Sequence, residues 1–367
     1  MTYIAQRMNC IDASGIRKIF ALAAQLTAPV NLSIGQPDYD VDSEVKEAAV
    51  AAIRSGFNQY TQTWGVDELR SACSEYYRRS FGVPLDNVMI TCGVSGGLYL
   101  TLLATIDPGD EVLFADPYFV MYKHLVHLLG GRAVPIDTYP NFRLTADAVD
   151  AAITPKTKAL IVNSPSNPTG VTLTREELAG IAAVAERRGI LVISDEIYEC
   201  LTYDAPRTSM VGLCENLVIL NGFSKIAGMT GWRVGYAAGP RDIIQAMNTL
   251  QQYTFVCAPS PAQLAAVQAL QLDHSQKVRA YRRKRDLIVN GLVEIGFRVV
   301  KPGGAFYVFP EAPNQDGDAF VAEAIKNNLL VIPGSVFSER RSNFRISFAA
   351  SDDTIARGLE VLRKLAG

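Results

Sequence analysis

No apolar run in the 367 residues approaches the roughly 18 that a membrane-spanning helix requires, so no membrane segment is expected. The amino terminus also lacks a basic stretch followed by an apolar core and a small-residue cleavage site, the pattern of a secretory leader. The six cysteines (Cys10, Cys73, Cys92, Cys200, Cys214 and Cys257) are scattered and form no C-x-x-C pair. That excludes a zinc knuckle and a dense disulfide framework, and it points to a reducing cytoplasm. His124 and His127 can share a helix face, but no carboxylate pattern accompanies them, and no metal site is expected. Neither sign of charge dominates: 35 Lys and Arg stand against 37 Asp and Glu, which leaves no electrostatic footprint for nucleic acid. A first-strand G-x-G-x-x-G is missing too, which sets aside a nicotinamide dehydrogenase. There is no internal repeat and no low-complexity tract.

What remains is the composition of a folded soluble protein, 49% hydrophobic and 20% charged, long enough for two domains. A serine-capped helix is predicted over residues 14–26 and a short strand over 30–34, then helices over 43–53 and 66–79. From residue 88 short β-rich runs alternate with helical stretches, at 88–91, 111–114, 132–136, 158–162, 190–194, 217–220 and 234–238. Their continuous apolar character fits strands buried on both faces of a largely parallel seven-stranded sheet covered by helices, an α/β fold. The last two runs are too close for a helical crossover, so one of them is expected to run antiparallel. Helices follow over 241–255, 260–270 and 274–293. The basic face of the third, Arg279 with Arg282, Arg283, Lys284 and Arg285, reads as a solvated link between domains. The tail changes texture, with strands at 297–300, 305–309, 330–332 and 344–348 and helices at 318–327 and 352–365. The expected division is an arm and part of a small domain in 1–35, a large domain in 36–275 and a small α+β domain in 276–367.

Chemistry-bearing residues gather at the ends of these runs, the usual ligand edge of an open parallel sheet. Gly35-Gln-Pro-Asp-Tyr39 makes a turn. Gln59-Tyr-Thr-Gln-Thr-Trp-Gly65 is a polar aromatic loop containing Tyr60. Thr91-Cys-Gly-Val-Ser-Gly-Gly-Leu98 joins a strand to a helix expected from Leu98, and exposed N–H groups at such a start attract anions. Asp116-Pro-Tyr-Phe-Val-Met-Tyr122, Asn163-Ser-Pro-Ser-Asn-Pro-Thr-Gly170 and Ser194-Asp-Glu-Ile-Tyr198 each follow or end a strand. Lys225 lies in the loop Asn221-Gly-Phe-Ser-Lys-Ile-Ala-Gly-Met-Thr-Gly-Trp-Arg-Val-Gly-Tyr236. Arg345 sits in Asn343-Phe-Arg-Ile-Ser-Phe348, where strand alternation allows it to face either solvent or the cleft. Gly303-Gly304 reads as a tight turn or a close backbone approach.

Taken together and in this order, these motifs resemble class I/II aminotransferases, the pyridoxal-phosphate enzymes of fold type I, over nearly the whole chain. The resemblance implies that Lys225 forms the Schiff base with pyridoxal 5′-phosphate. Arg233, Ser224, Val94 and Ser95 would hold its phosphate, and Phe119, rather than Tyr118, would stack on the pyridine face. Asp195 would pair with the pyridine nitrogen, and Asn167 and Tyr198 would bond the phenolic oxygen. Gly35 and Arg345, with Asn167, would receive the substrate carboxylate. Tyr60 would reach the cofactor phosphate of a neighbouring subunit, implying a homodimer with shared active sites. Many relatives have Ser or Thr three residues before the lysine; Gly222 stands there, and weaker phosphate anchoring is expected.

The implied reaction moves an amino group between an L-amino acid and a 2-oxo acid, with Lys225 as proton carrier. The alternative within the same fold is a carbon–sulfur β-lyase or related eliminating enzyme. A non-catalytic domain of a regulator would need a DNA-binding extension, and the helix from residue 14 starts too early to leave room for one. Trp64, Tyr118 and Tyr253 offer an aromatic lining for a substrate side chain.

Overall fold

The computed structural model describes residues 3–11, 15 and 26–366. The expected helix over 14–26 lies, Gly15 and Leu26 aside, outside them. Strand β1 (Val30–Asn31) leads through segment 35–39 to helices α1 (Ser43–Arg54) and α2 (Asp67–Phe81). The alternating part then runs β2 (Met89–Thr91), α3 (Gly93–Thr105), β3 (Glu111–Asp116), α4 (Met121–Leu128), β4 (Arg132–Asp137), α5 (Ala146–Ala152) and β5 (Thr157–Asn163). It continues with α6 (Arg175–Arg188), β6 (Leu191–Asp195), β7 (Leu217–Gly222) and β8 (Gly235–Ala238). All seven expected strands form. They hydrogen-bond in the order β2-β8-β7-β6-β5-β3-β4, and only β8 runs against the rest. The short β7–β8 connection cannot hold a crossover helix, which is why the direction reverses there.

The strands are apolar throughout because helices cover both faces. Leu113, Leu160, Val162, Val192 and Ile219 point to one side, against Val45, Leu69 and Ile181 of α1, α2 and α6. Val112, Phe114, Ile161, Ile193 and Val218 point to the other, against Leu98 and Leu102 of α3. Helix α3 starts at Gly93, not at Leu98 as expected, so the glycine-rich turn is the first turn of the helix. Missing side chains let it lie close to the sheet: a Cβ on Gly97 would sit 3.1 Å from the Leu220 side chain.

Helices α7 (Arg241–Thr254), α8 (Ser260–Ala269) and α9 (Ser275–Ile295) lead to a second core. Its elements are β9 (Tyr307–Val308), α10 (Gly317–Lys326), β10 (Leu329–Leu330), β11 (Ile332–Pro333), β12 (Phe344–Ser347) and α11 (Asp352–Ala366). β1 pairs with β10, and β11-β12-β9 form an antiparallel sheet. Tyr281, Ile288 and Leu292 of α9 join Phe306, Phe344, Ile346 and Ile355 in this core. Four expectations are corrected here. Residues 297–300 form no strand, since Arg298 accepts one N–H, from Glu311, but no ladder follows. The run 330–332 splits between two sheets, and 305–309 shrinks to β9 behind Ala305, whose φ is 54°. The basic face of α9 is not simply solvated: Arg285 is fully buried and paired with Asp204 and Asp286, and Lys284 is paired with Asp38.

Candidate active site

The carboxyl ends of β2, β3, β5, β6 and β7 share one sheet edge, because these five strands run in the same direction. Their loops floor a cavity of about 590 Å³, and segment 34–36, Tyr307 and Arg345 close it from the second core. Eleven of the twelve expected site residues line it: Gly35, Val94, Ser95, Phe119, Asn167, Asp195, Tyr198, Ser224, Lys225, Arg233 and Arg345. The twelfth, Tyr60, does not; it is 82% exposed, beside Cys92 and Cys257. Trp64, Tyr118 and Tyr253 do not line the cavity either, which corrects the expected aromatic lining.

Lys225 leaves the end of β7 with its amine donating to the carbonyl of Gly35 at 2.7 Å. The rings of Tyr198 and Phe306 lie 5.5 and 5.7 Å from the amine. Burial above all, with the positive charges of Arg345 and Arg233, pulls this amine down to about 8. Asp195 ends β6 and is buried. Its carboxylate accepts the Tyr122 hydroxyl at 2.7 Å and the Ile197 N–H at 3.3 Å. Those donors and Lys225 do not outweigh desolvation, and burial pushes the Asp195 carboxyl above the usual range. Among the described residues it forms no ion pair, Lys225 acting on it only from a distance.

A chain of amides ties the Asp195 main chain to the opposite wall. The Asn163 side chain donates to the Asp195 carbonyl at 2.9 Å and accepts the Asn167 N–H at 2.9 Å. Asn167 Oδ1 in turn accepts from Arg345 Nη1 at 3.0 Å, while Nη2 donates to the Ser33 carbonyl at 2.9 Å. Arg345 therefore faces the cleft, and its guanidinium carbon lies over the rings of Tyr307 and Phe337, 4.5 and 4.7 Å from their centroids. Its Nε is buried with no hydrogen-bond partner among the described residues. The Tyr307 hydroxyl also meets that of Tyr198 at 2.9 Å.

At the other end, Val94 and Ser95 lie in the first turn of α3 with unpaired helical N–H groups, and Arg233 crosses over Gly93. A Cβ on Gly93 would lie 2.6 Å from Arg233 Nη2, and one on Gly235 2.7 Å from the Val94 nitrogen. Glycines thus hold open a cradle of N–H groups and a guanidinium. Gly222 has a comparable reason: a Cβ there would meet Gly235 Cα at 2.9 Å and the Val234 carbonyl at 3.0 Å, so no hydroxyl side chain fits. Ser224 is the hydroxyl the loop supplies to the cavity.

Sequence reasoning missed Tyr122, Asn163 and Tyr307 as cavity residues. Tyr122 had a usable signal, being one helical turn beyond Phe119, and Asn163 opens the N-S-P-S-N-P-T-G stretch. Nothing local marks Tyr307. The adjacent Gly303-Gly304 is a close backbone approach, both N–H groups donating to the Gly170 carbonyl at 2.9 Å.

Comparison with known proteins agrees with this geometry. Residues 27–362 match the family described as aminotransferase class I and II. A probable aspartate aminotransferase of Methanocaldococcus jannaschii is 38% identical over 99% of both chains. Aromatic-amino-acid aminotransferase 2 of Thermococcus litoralis is 34% identical over 99% of this chain and 98% of its own. The structure of Thermus thermophilus aspartate aminotransferase with maleate superimposes with a TM-score of 0.96 at 34% identity, over 100% of both chains. The chain belongs to the class I and II aminotransferase family, with the fold type I architecture. It is an aminotransferase, and these relatives set the lyase alternative aside.

Proposed function

We propose that the chain binds pyridoxal 5′-phosphate in this cavity and moves an amino group between an L-amino acid and a 2-oxo acid, with Lys225 as the attachment point and proton carrier. The observation that carries the proposal is one cavity joining three groups that lack something. They are an amine pulled down to about 8, a buried carboxylate with only two donors, and a buried guanidinium whose Nε has no partner among the described residues. The donor set fits the cofactor. The α3 N-terminus, Ser224 and Arg233 suit a phosphate, Phe119 offers a flat face, and Asn167 and Tyr198 offer polar edges. Asp195 suits a protonated ring nitrogen.

When bound, the cofactor supplies a sink for the electron pair left as the substrate Cα–H bond breaks. Asp195 would hold a positive charge on the bound cofactor and so favour the developing negative charge at Cα. Lys225 Nζ, neutral above about pH 8, takes the Cα proton. Arg345 and Asn167 grip the substrate α-carboxylate and thereby aim Cα at the amine, with Gly35 beside them.

The same reading makes the protein a homodimer with sites at the interface. Ile53, Tyr60, Tyr253, Phe255 and Val256 are apolar side chains left exposed, and Phe255 packs on Tyr99 of α3 with ring centroids 6.5 Å apart. A second copy seated there would meet the phosphate cradle, and Tyr60 of each copy would reach the other's site. Six free cysteines suit the cytoplasm. The same reading divides the chain at 1–35, 36–275 and 276–367.

The test is chemical. Protein loaded with the cofactor and reduced with borohydride is expected to carry the added mass on Lys225, and Lys225→Ala is expected to abolish amino-group exchange. Label on another lysine, or normal exchange by the variant, would overturn the assignment. A spectroscopic screen of amino acids for conversion of the cofactor to its amine form then identifies the substrate.

A further inference from the structure

Segment 35–39 touches Lys225 at two points. The Gly35 carbonyl accepts from the lysine amine at 2.7 Å. Four residues on, the Tyr39 hydroxyl lies 2.9 Å from the main-chain carbonyl of Lys225 and 3.0 Å from that of Ile226. The head and the main chain of one lysine are therefore held by one short stretch. The lysine loop also packs directly on this stretch: a Cβ on Gly228 would lie 3.4 Å from the Asp40 carbonyl.

Helix α9 anchors the segment from outside the cavity. The Tyr281 hydroxyl donates to Asp38 Oδ1 at 2.9 Å and lies 3.2 Å from the Asp38 N–H, and Lys284 pairs with the same carboxylate. The Tyr281 ring lies 5.7 Å from that of Tyr39, and the Lys277 amine sits 4.7 Å from the Tyr39 ring while pairing with Asp42. Burial and the nearby Asp38 and Asp42 charges push the Tyr39 phenol up, so it stays protonated and remains a donor.

Packing alone would need only the ring. A hydroxyl placed on two successive carbonyls of the lysine loop does something a phenyl group cannot. We infer that Tyr39 is a positioning residue: its hydroxyl fixes the main chain of Lys225, so that the amine stays on the Gly35 side of the cavity, aimed at the substrate Cα. The inference rests on Lys225 being the reactive amine of the proposed reaction. Tyr39 itself lies outside the residues lining the cavity, so it acts through Lys225 and not by contact.

Tyr39→Phe keeps the ring and removes the clamp. In protein stripped of cofactor, the pH dependence of Lys225 acetylation by acetic anhydride, resolved by mass spectrometry, reports on the amine directly. The wild-type midpoint is expected at about 8, and a released amine that samples water is expected to move up by roughly half a unit or more. In loaded protein, the single-turnover rate with saturating amino acid is expected to fall about tenfold. The half-saturating concentration should stay within about twofold and the melting temperature within a few degrees. Unchanged labelling and rate would overturn the inference, as would a uniform loss of stability, cofactor and affinity, which would mark Tyr39 as packing. Failure of the Lys225 assignment itself shows separately, as borohydride label on another lysine in the wild type.

Discussion

Asp195 and Glu196 are neighbours at the end of β6, equally buried, and their surroundings differ. Glu196 points away from the cavity and is closed by four protein donors. The Tyr77, Ser194 and Ser209 hydroxyls lie at 2.7, 2.8 and 3.0 Å, and the Met210 N–H at 3.0 Å. Asp195 lines the cavity with two donors, one of them long at 3.3 Å. Burial raises both carboxyls. The lesson is that burial and shifted acidity do not distinguish a structural carboxylate from a functional one. What separates these two is the completeness of the hydrogen-bond shell: Glu196 has four donors, and Asp195 has two and a side open to the cavity.

The comparison breaks most sharply on Asp195→Ala. If the open carboxylate serves the reaction, turnover is expected to fall about 10²–10³-fold, as for loss of one preorganised electrostatic group, with the melting temperature little changed. Wild-type turnover with cofactor bound would make Asp195 a second Glu196. Next comes Arg345→Ala, which removes the other unfinished group. Half-saturating substrate is expected to rise about 10- to 100-fold, while the visible absorbance of the loaded resting enzyme persists; loss of that absorbance would mean that Arg345 holds the fold. Smaller again, Tyr60→Phe is expected to weaken cofactor retention about tenfold in a dimer. Unchanged retention, measured by dialysis and absorbance, would leave Tyr60 as surface packing.

Much of this arrangement is legible in the chain because the residues that the cavity gathers lie at strand ends. Asn167, Asp195 and Lys225 each follow an apolar run, and a parallel sheet brings such ends to one edge whatever the details of packing. What could not be read depended on contacts distant in sequence. Arg345 is ambiguous by alternation, and what turns it into the cleft is its bonds to Asn167 and Ser33 and its contacts with the Tyr307 and Phe337 rings. The burial of Arg285 required Asp204, 81 residues away. Residues 297–300 have strand-like composition but no ladder partner, and propensity alone does not make a strand. Gly222 looked like a lost phosphate ligand; the approach of Gly235 shows it is required by sheet packing.

The smallest expected effect on turnover belongs to Glu196→Gln, and it tests the other half of the comparison. The Glu196 carboxyl is pushed from 4.5 to about 7 by burial, against the four donors that favour its charge. The folded state therefore holds this proton more tightly than the unfolded chain does. Stability from this group is fully present below pH 4.5 and is lost as pH rises through about 7. The shift corresponds to a loss on the order of 3 kcal/mol across that window. Glutamine cannot ionise, so the variant is expected to lack this decline, and the stability difference between the two proteins should grow in the variant's favour between pH 4.5 and about 7. Urea unfolding at several pH values measures it, and turnover at neutral pH is expected to stay within about twofold, since Glu196 does not line the cavity. A large drop in turnover with an unchanged pH slope would show that Glu196 acts on the reaction through Asp195, and the division between a closed and an open carboxylate would fail.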